Sequence, residues 1–274
     1  MIIKVLVENS TKDPCLQAEH GLSLYMECGP HRILFDMGQT DAFRKNAEKM
    51  NVDLAKIDMA VLSHGHYDHG GGLGAFLQVN GHAPIYVHKR AFEPHYHGAQ
   101  KYIGLAPSLQ GNPRLHETDG VVPLGDGISL YGGTLGPCRH PVEPYGLSRM
   151  ENGQLVPDDF AHEQYLKLEE NGRSVVISGC SHRGILNIMD WLHPDTLIGG
   201  FHFVKLNPER KSDAAVLDEA ARELTAHHAV YYTGHCTGTQ AFSYLQARMP
   251  SGSLYALHTG QNIVLEAMPP KEEL

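Results

Sequence analysis

Between Ser63 and Gly72 the chain reads Ser-His-Gly-His-Tyr-Asp-His-Gly-Gly-Gly, which gathers His64, His66, Asp68 and His69 within six residues. Imidazole nitrogen and carboxylate oxygen are donors that Zn, Mn and Fe accept. The apolar run Ile57–Leu62 before the motif reads as a buried strand. At the end of a strand, side chains alternate with period two, so His64 and His66 can point the same way. Asp68 and His69 follow a turn and can face the same space from another side. Two donor pairs are enough to begin two adjacent metal sites, and the glycines let the backbone pass close to them. A solvated histidine-rich loop is the plain alternative in a chain with 19 histidines.

Four donors cannot complete two coordination shells, so partners are needed elsewhere. Three later segments place a histidine at the end of a β-rich run: Val175 to His182, Gly199-Gly200-Phe201-His202 and Thr233-Gly234-His235-Cys236. Ligands at the ends of neighbouring strands converge on one sheet edge, which makes His182 and His235 the candidate completing ligands. His202 is read either as a further metal-site residue or as a substrate contact. The metallo-β-lactamase superfamily, whose signature the His64–His69 pattern resembles, usually has a separate third histidine in its first site; His140 and His182 compete for it, and His182 is favoured. Cys180 is open to three readings: a thiolate ligand, a nucleophile with a pKa lowered by the start of a Ser181–Leu192 helix, or a packed strand-end residue. Arg183, at that helix start, is a candidate phosphate contact or else a solvated charge. His95-Tyr96-His97 reads as an exposed loop.

The elements around these residues form two groups of strands separated by helices. Ile2–Val7 is a strand, and Leu22–Glu27 with Arg32–Phe35 a hairpin. Phe43, Ala47 and Met50 show helical spacing between Asp41 and Asn51. A short helix is expected over Leu73–Leu77 and a strand over Ile85–His88. Residues 90–118 lose periodicity and read as an active-site cover, and residues 132–160 form a second irregular stretch. Val121–Tyr131 suggests edge strands. Leu166–Glu169 and Ser174–Ser178 flank an Asn-Gly turn. Helical stripes follow at Ile185–Leu192, Val216–Leu224 and Phe242–Met249, interleaved with strands at Leu197–Ile198, Ala229–Tyr232 and Leu254–Leu257. Strands and helices in that order fit an α/β fold of two sheets faced by helices.

With 274 residues, 42% of them apolar, the chain can bury a large core without staples, and it reads as one domain over residues 1–274. A net charge of −9 argues against nucleic-acid binding, which needs a basic surface. Five scattered cysteines fit reduced thiols in a cytosolic protein. The first eight residues are too short and strand-like for a signal peptide, and no apolar run approaches the ~20 residues of a membrane span.

The pattern His-x-His-x-Asp-His resembles the signature of the metallo-β-lactamase superfamily. Together with Gly179-Cys180-Ser181-His182-Arg183-Gly184-Ile185, Gly199-Gly200-Phe201-His202 and His235-Cys236-Thr237-Gly238, it resembles one branch, named after the dihydropterin ribofuranosylaminobenzene phosphate synthase. The resemblance runs over nearly the whole chain. It implies a four-layer αββα sandwich with one or two divalent metals, foremost Zn, with Mn or Fe as alternatives, where the two sheets meet. It implies metal ligands among His64, His66, Asp68, His69, His182, His235 and Cys180, the last standing where the superfamily usually has an aspartate. It also places Asp36, in Phe35-Asp36-Met37-Gly38, behind the metals as acceptor of a ligand N–H, where the residues alone equally allow a helix cap. The activity expected is hydrolysis by a metal-bound hydroxide, with Asp68 orienting the water or taking its proton. The substrate is expected to be an anionic, phosphorylated small molecule held with the help of Arg183 and His202. A pterin–ribofuranosyl phosphate synthase-type transferase, or a metal-dependent sensor without turnover, are the alternatives.

Overall fold

A computed structural model describes residues 1–98 and 100–267. Strands are numbered along the chain. The first sheet has the order β18-β1-β2-β3-β4-β5-β8. Its strands are β1 (Ile2–Val7), β2 (Ser23–Cys28), β3 (His31–Phe35), β4 (Met59–Val61), β5 (Ile85–His88), β8 (Leu115–Thr118) and β18 (Asn262–Val264). The second has the order β17-β16-β15-β14-β13-β10-β9. It comprises β9 (Val121–Gly125), β10 (Ile128–Gly132), β13 (Gln164–Glu170), β14 (Arg173–Ile177), β15 (Thr196–Ile198), β16 (Val230–Thr233) and β17 (Leu254–Ala256).

The two sheets face each other across one apolar layer. Ile3, Val5, Ile33, Phe35, Met59 and Val61 of the first meet Ile128, Leu130, Leu166, Leu168, Val175 and Ile177 of the second. The alternate residues point outward. Leu6, Leu34 and Ala60 pack under helices α1 (Ala42–Lys49) and α3 (Leu73–Val79), with Phe43, Ala47 and Phe76 in that layer. Tyr165, Val176, Leu197 and Tyr231 pack under α4 (Ile185–Leu192), α5 (Lys211–Ala226) and α6 (Thr239–Gln246). Strands buried on both faces must be apolar at almost every position, which is why these segments read as runs rather than as alternation. The result is the four-layer αββα sandwich.

Strand direction positions the chemistry. β3, β4, β5 and β8 run parallel, as do β14, β15, β16 and β17. In such sheets the carboxyl ends of the strands open onto a common crevice. Asp36 follows β3, His64 and His66 follow β4, Cys180 and His182 follow β14, His202 follows β15, and His235 follows β16. The motif then turns through the short helix α2 (Tyr67–Gly70). Gly71 is needed there because a Cβ would lie 2.1 Å from the Gln39 carbonyl oxygen.

Several sequence expectations change. The 90–118 stretch is not structureless: it contributes β8 and two short strands, β6 (His95–His97) and β7 (Lys101–Tyr102). These join β11 (Leu147–Glu151) and β12 (Gln154–Pro157) in a four-stranded sheet, so the second irregular stretch is ordered too. The pairing of β6 with β11 joins segments about fifty residues apart, with strands too short to show periodicity. Of the two strands over Val121–Tyr131, only β9 is an edge, because β10 pairs with both β9 and β13. Helix α4 begins at Ile185 rather than Ser181, because Ser181 and Gly184 both take positive φ, 55° and 89°. β18 carries no signal that periodicity picks up.

Candidate metal centre and its cavity

Five histidines meet at the sheet edge in two groups. Nε2 of His64 lies 3.3 Å from Nε2 of His182, and His66 joins them, with one donor atom of each within 4.8 Å of the others. Nε2 of His69 lies 3.1 Å from Nε2 of His235 and 3.3 Å from Sγ of Cys180. Asp68 Oδ2 is 3.3 Å from Nε2 of His235 and 3.9 Å from Nε2 of His69. All seven of these side chains belong to buried residues. Burial, then the surrounding histidines, holds His64 and His182 well below the usual imidazole range, and burial followed by His162 and His95 does the same for His66. Crowded neutral imidazoles with their nitrogens turned on one another match what a divalent cation requires of its ligands.

The far side of each ring fixes which nitrogen is free. Asp36 is completely buried and its carboxylate only accepts. Oδ1 takes the Ser63 backbone N–H (2.7 Å), and Oδ2 takes the Ser63 hydroxyl (2.7 Å) and Nδ1–H of His69 (2.6 Å). With its proton committed to Asp36, Ser63 Oγ accepts Nδ1–H of His64 at 2.8 Å. One carboxylate therefore sets two tautomers and turns Nε2 of His64 and His69 into the site. Burial lowers the His69 pKa, but the Asp36 and Asp68 carboxylates outweigh it and hold it at about 9 in the metal-free site, so a cation binding at Nε2 must displace a proton there. His235 is oriented by Asn9 Oδ1, 3.0 Å from its Nδ1, and by Glu8, which accepts its backbone N–H. Gly179 allows the sheets to close here, since a Cβ would lie 2.2 Å from Ser63 Oγ. Asp36, Ser181, His202 and His235 all hold left-handed φ between 48° and 56°, a concentration of backbone strain at the edge where the donors meet.

The remaining candidates fall as follows. His202 Nδ1 is 2.7 Å from Nδ1 of His182. His140 stands apart from the donor groups, with Nε2 3.5 Å from Asp190. Cys180 sits among the donors, but the pKa lowering expected from a helix start is reversed: burial and then Cys236 push its thiol well up. Arg183 donates to the Asp159 carbonyl (2.9 Å), and its backbone N–H to Glu163 (3.0 Å); it precedes α4 rather than starting it. Asp36 caps no helix, since α1 starts at Ala42.

Residues that the sequence reading did not assign to the site also lie here, among them His95, which it read as part of an exposed loop and which is buried. His20 Nε2 is 3.2 Å from Asp68 Oδ2, and its ring stands 4.7 Å from that of His235. Burial would raise the Asp68 pKa, but His69, His20 and His235 hold it well below the usual carboxylate range. His95, Asp158 and His162 form a buried group against His66. No local motif marks these four residues, and only the fold unites them.

A cavity of about 290 Å³ opens beside His182 and His202. Tyr145, Phe201, Phe203, Ile185, Leu186 and Val216 give it an apolar lining, and Glu143 and Glu219 are its charged residues besides histidine. Lys89 is paired with Asp119, Arg90 with Glu93 and Asp159, and Arg149 with Glu151 and Asp159. Among the described residues no helix is long and apolar enough to cross a membrane.

Residues 24–150 match the family model of the metallo-β-lactamase superfamily. The chain is also 30% identical over 253 residues to the 7,8-dihydropterin-6-methyl-4-(β-D-ribofuranosyl)-aminobenzene-5'-phosphate synthase of Methanocaldococcus jannaschii, covering 82% of this chain and 83% of that one. The chain belongs to the metallo-β-lactamase superfamily. An uncharacterized protein of the same organism is 28% identical, over 89% of this chain and 93% of its own. Among solved structures, Tm1679, a metal-dependent hydrolase of the β-lactamase superfamily, matches with a TM-score of 0.81 at 28% identity, covering 97% of this chain and 99% of that one. Members of this superfamily usually bind divalent metals, and the two donor groups here are compatible with that.

Proposed function

We propose that this protein is a metal-dependent hydrolase of small molecules with an apolar body. The observation that carries the reading is the convergence of two groups of buried donors at one sheet edge, with His182 of the first group also lining an apolar cavity. His64, His66 and His182 would hold one divalent metal, and Asp68, His69 and His235 a second, with Cys180 between them; zinc suits imidazole and thiolate together. Bound there, the metals supply Lewis-acid polarisation of a substrate oxygen and activation of a water.

The chain supplies the rest. Asp68 is ionised and faces His20 and His235, so it can orient the water or take its proton. For His182 to offer Nε2, its proton must sit on Nδ1 and be donated to Nδ1 of His202. The proton of His202 is then on Nε2, a donor at the cavity wall suited to a substrate oxygen. The cavity holds the body of the substrate and excludes water from it. A phosphorylated substrate would be compensated by the metals themselves, because among the described residues no lysine or arginine lines the cavity. Arg183 is committed to Asp159, which moves the anion-binding role from that residue to the metals.

A second reading, group transfer of the synthase type, is favoured by the 30% identity to the M. jannaschii synthase. A panel of phosphomonoesters, phosphodiesters, lactones and thioesters with apolar bodies separates the readings. Hydrolysis lost on chelation and restored by Zn, Mn or Fe is expected. Val216→Trp, at the cavity wall, should raise KM about tenfold or more for the bulkier substrates and leave metal content alone. Tight binding of panel compounds without turnover would refute the hydrolase and point to a sensor.

A further inference from the structure

His66 differs from the other site histidines. Its Nε2 is buried and has no hydrogen-bond partner among the described residues. Facing it is a group the fold has assembled from distant segments: His95 on β6, Asp158 directly after β12, and His162, with donor atoms within 4.8 Å of one another and of His66. All four residues are at least nine-tenths buried. The small sheet that carries His95 is tied to the metal motif, for Tyr67 N–H donates to Ile103 and Ile103 N–H donates to His95.

Protons in this group can be assigned from its bonds. Asp158 Oδ1 accepts the Phe160 N–H at 2.8 Å. Oδ2 is an acceptor only, so His95, 2.8 Å away, carries its proton on Nδ1. A neutral His95 therefore bears a lone pair on Nε2, and that atom is buried without a partner. Gly65 N–H donates to Nδ1 of His162 at 2.9 Å, so His162 carries its proton on Nε2, 3.6 Å from Asp158 Oδ2. His162 thus has no free lone pair, and Asp158 Oδ2 is engaged on the Nδ1 side of His95. These commitments argue against the group as a metal site of its own. Among the described residues they leave three buried nitrogens of this group without a hydrogen-bond partner: the Nε2–H of His162, an acceptor on His95, and Nε2 of His66, which bears a proton when that ring binds metal through Nδ1.

We propose that His95, held in one tautomer by Asp158, is a positioning residue for His66. It accepts the His66 Nε2–H and so directs Nδ1 of His66 at the metal, as Asp36 directs Nε2 of His64 and His69. This rests on the metal reading given under Proposed function. Loss of such a partner behind a ligand histidine lowers metal affinity by about 10–100-fold.

The test uses zinc competition against a chromogenic chelator on the full chain, with the fold of each variant checked by circular dichroism. His95→Phe keeps the ring and removes both nitrogens. It should weaken the site of His64, His66 and His182 by about 10–100-fold and leave the second site unchanged. His95→Gln, whose amide N–H can serve Asp158 and whose oxygen can replace the acceptor, should recover most of the affinity, a rescue that packing alone would not give. Asp158→Asn should fall between them and carries the test if His95→Phe does not fold. Nitrogen-15 NMR of zinc-loaded native protein should show His66 protonated at Nε2 and His95 at Nδ1. Unchanged zinc affinity in a folded His95→Phe, a His66 protonated at Nδ1, or the loss of a whole extra equivalent of metal would overturn the proposal. Native protein that binds no zinc at all would instead overturn the metal reading, while the His95 tautomer would still be read in the metal-free protein.

Discussion

Asp36→Asn is the perturbation that reaches furthest into the site while changing the fewest atoms. The wild-type carboxylate accepts three short bonds, from Ser63 N–H, Ser63 O–H and His69 Nδ1–H, with no exposure to water. Hydrogen bonds to a charged group contribute about 1.5–3 kcal/mol each. An asparagine has one acceptor oxygen. Turned toward the Ser63 N–H, it sets its own N–H groups against the serine hydroxyl and His69; turned the other way, it faces the Ser63 N–H with a donor. With His64 and His69 in the tautomers that turn Nε2 into the site, at least one buried donor is left without an acceptor in either orientation; relieving it requires moving those protons to Nε2. The expected loss of stability is about 2–4 kcal/mol, measured by urea unfolding of the metal-free protein. Because Ser63 Oγ passes the same constraint to His64, both metal positions should weaken, each by about 10–100-fold. A loss below about 1 kcal/mol, or one metal position unaffected, would refute the single-carboxylate account.

Gly71→Ala should cost about 1–3 kcal/mol in urea unfolding, since its Cβ would meet the carbonyl oxygens of Gln39 and Tyr67 at 2.1 and 2.5 Å. His140→Ala should leave metal content unchanged, because that ring pairs with Asp190 and not with the donor groups. Arg183→Ala should lower stability by about 1 kcal/mol through the lost bond to Asp159, with KM for a phosphorylated substrate little altered. Ser63→Ala should weaken the His64 position more than the His69 position, since His69 keeps its direct bond to Asp36.

What the sequence could reveal depended on whether a signal was local. The metal motif is contiguous, and the segments ending in His182 and His235 share its form, so residue type and strand-end placement were enough to single them out. The long apolar runs of the two main sheets are legible because burial on both faces leaves no room for polar positions. The third sheet is different: β6 and β7 are three and two residues long, and their partner β11 lies far along the chain. For the same reason His95 read as an exposed loop residue, although Arg149 pairs beside it and Asp158 binds its ring. His20 follows no strand of its own and reaches Asp68 only through the loop between β1 and β2. Arg183 was misplaced for a still more local reason. The left-handed turn at Ser181 and Gly184 delays the helix to Ile185, which residue types alone do not announce.

The central claim is that the two donor groups are metal sites. The most direct measurement is a zinc titration of metal-free protein with stoichiometry read by elemental analysis, on the native chain and on a His69→Ala, His235→Ala double variant. The expected result is two equivalents for the native protein and one for the variant, with the remaining zinc held by His64, His66 and His182. Equal stoichiometry in the two proteins, or no tight binding by the native chain, would contradict the account.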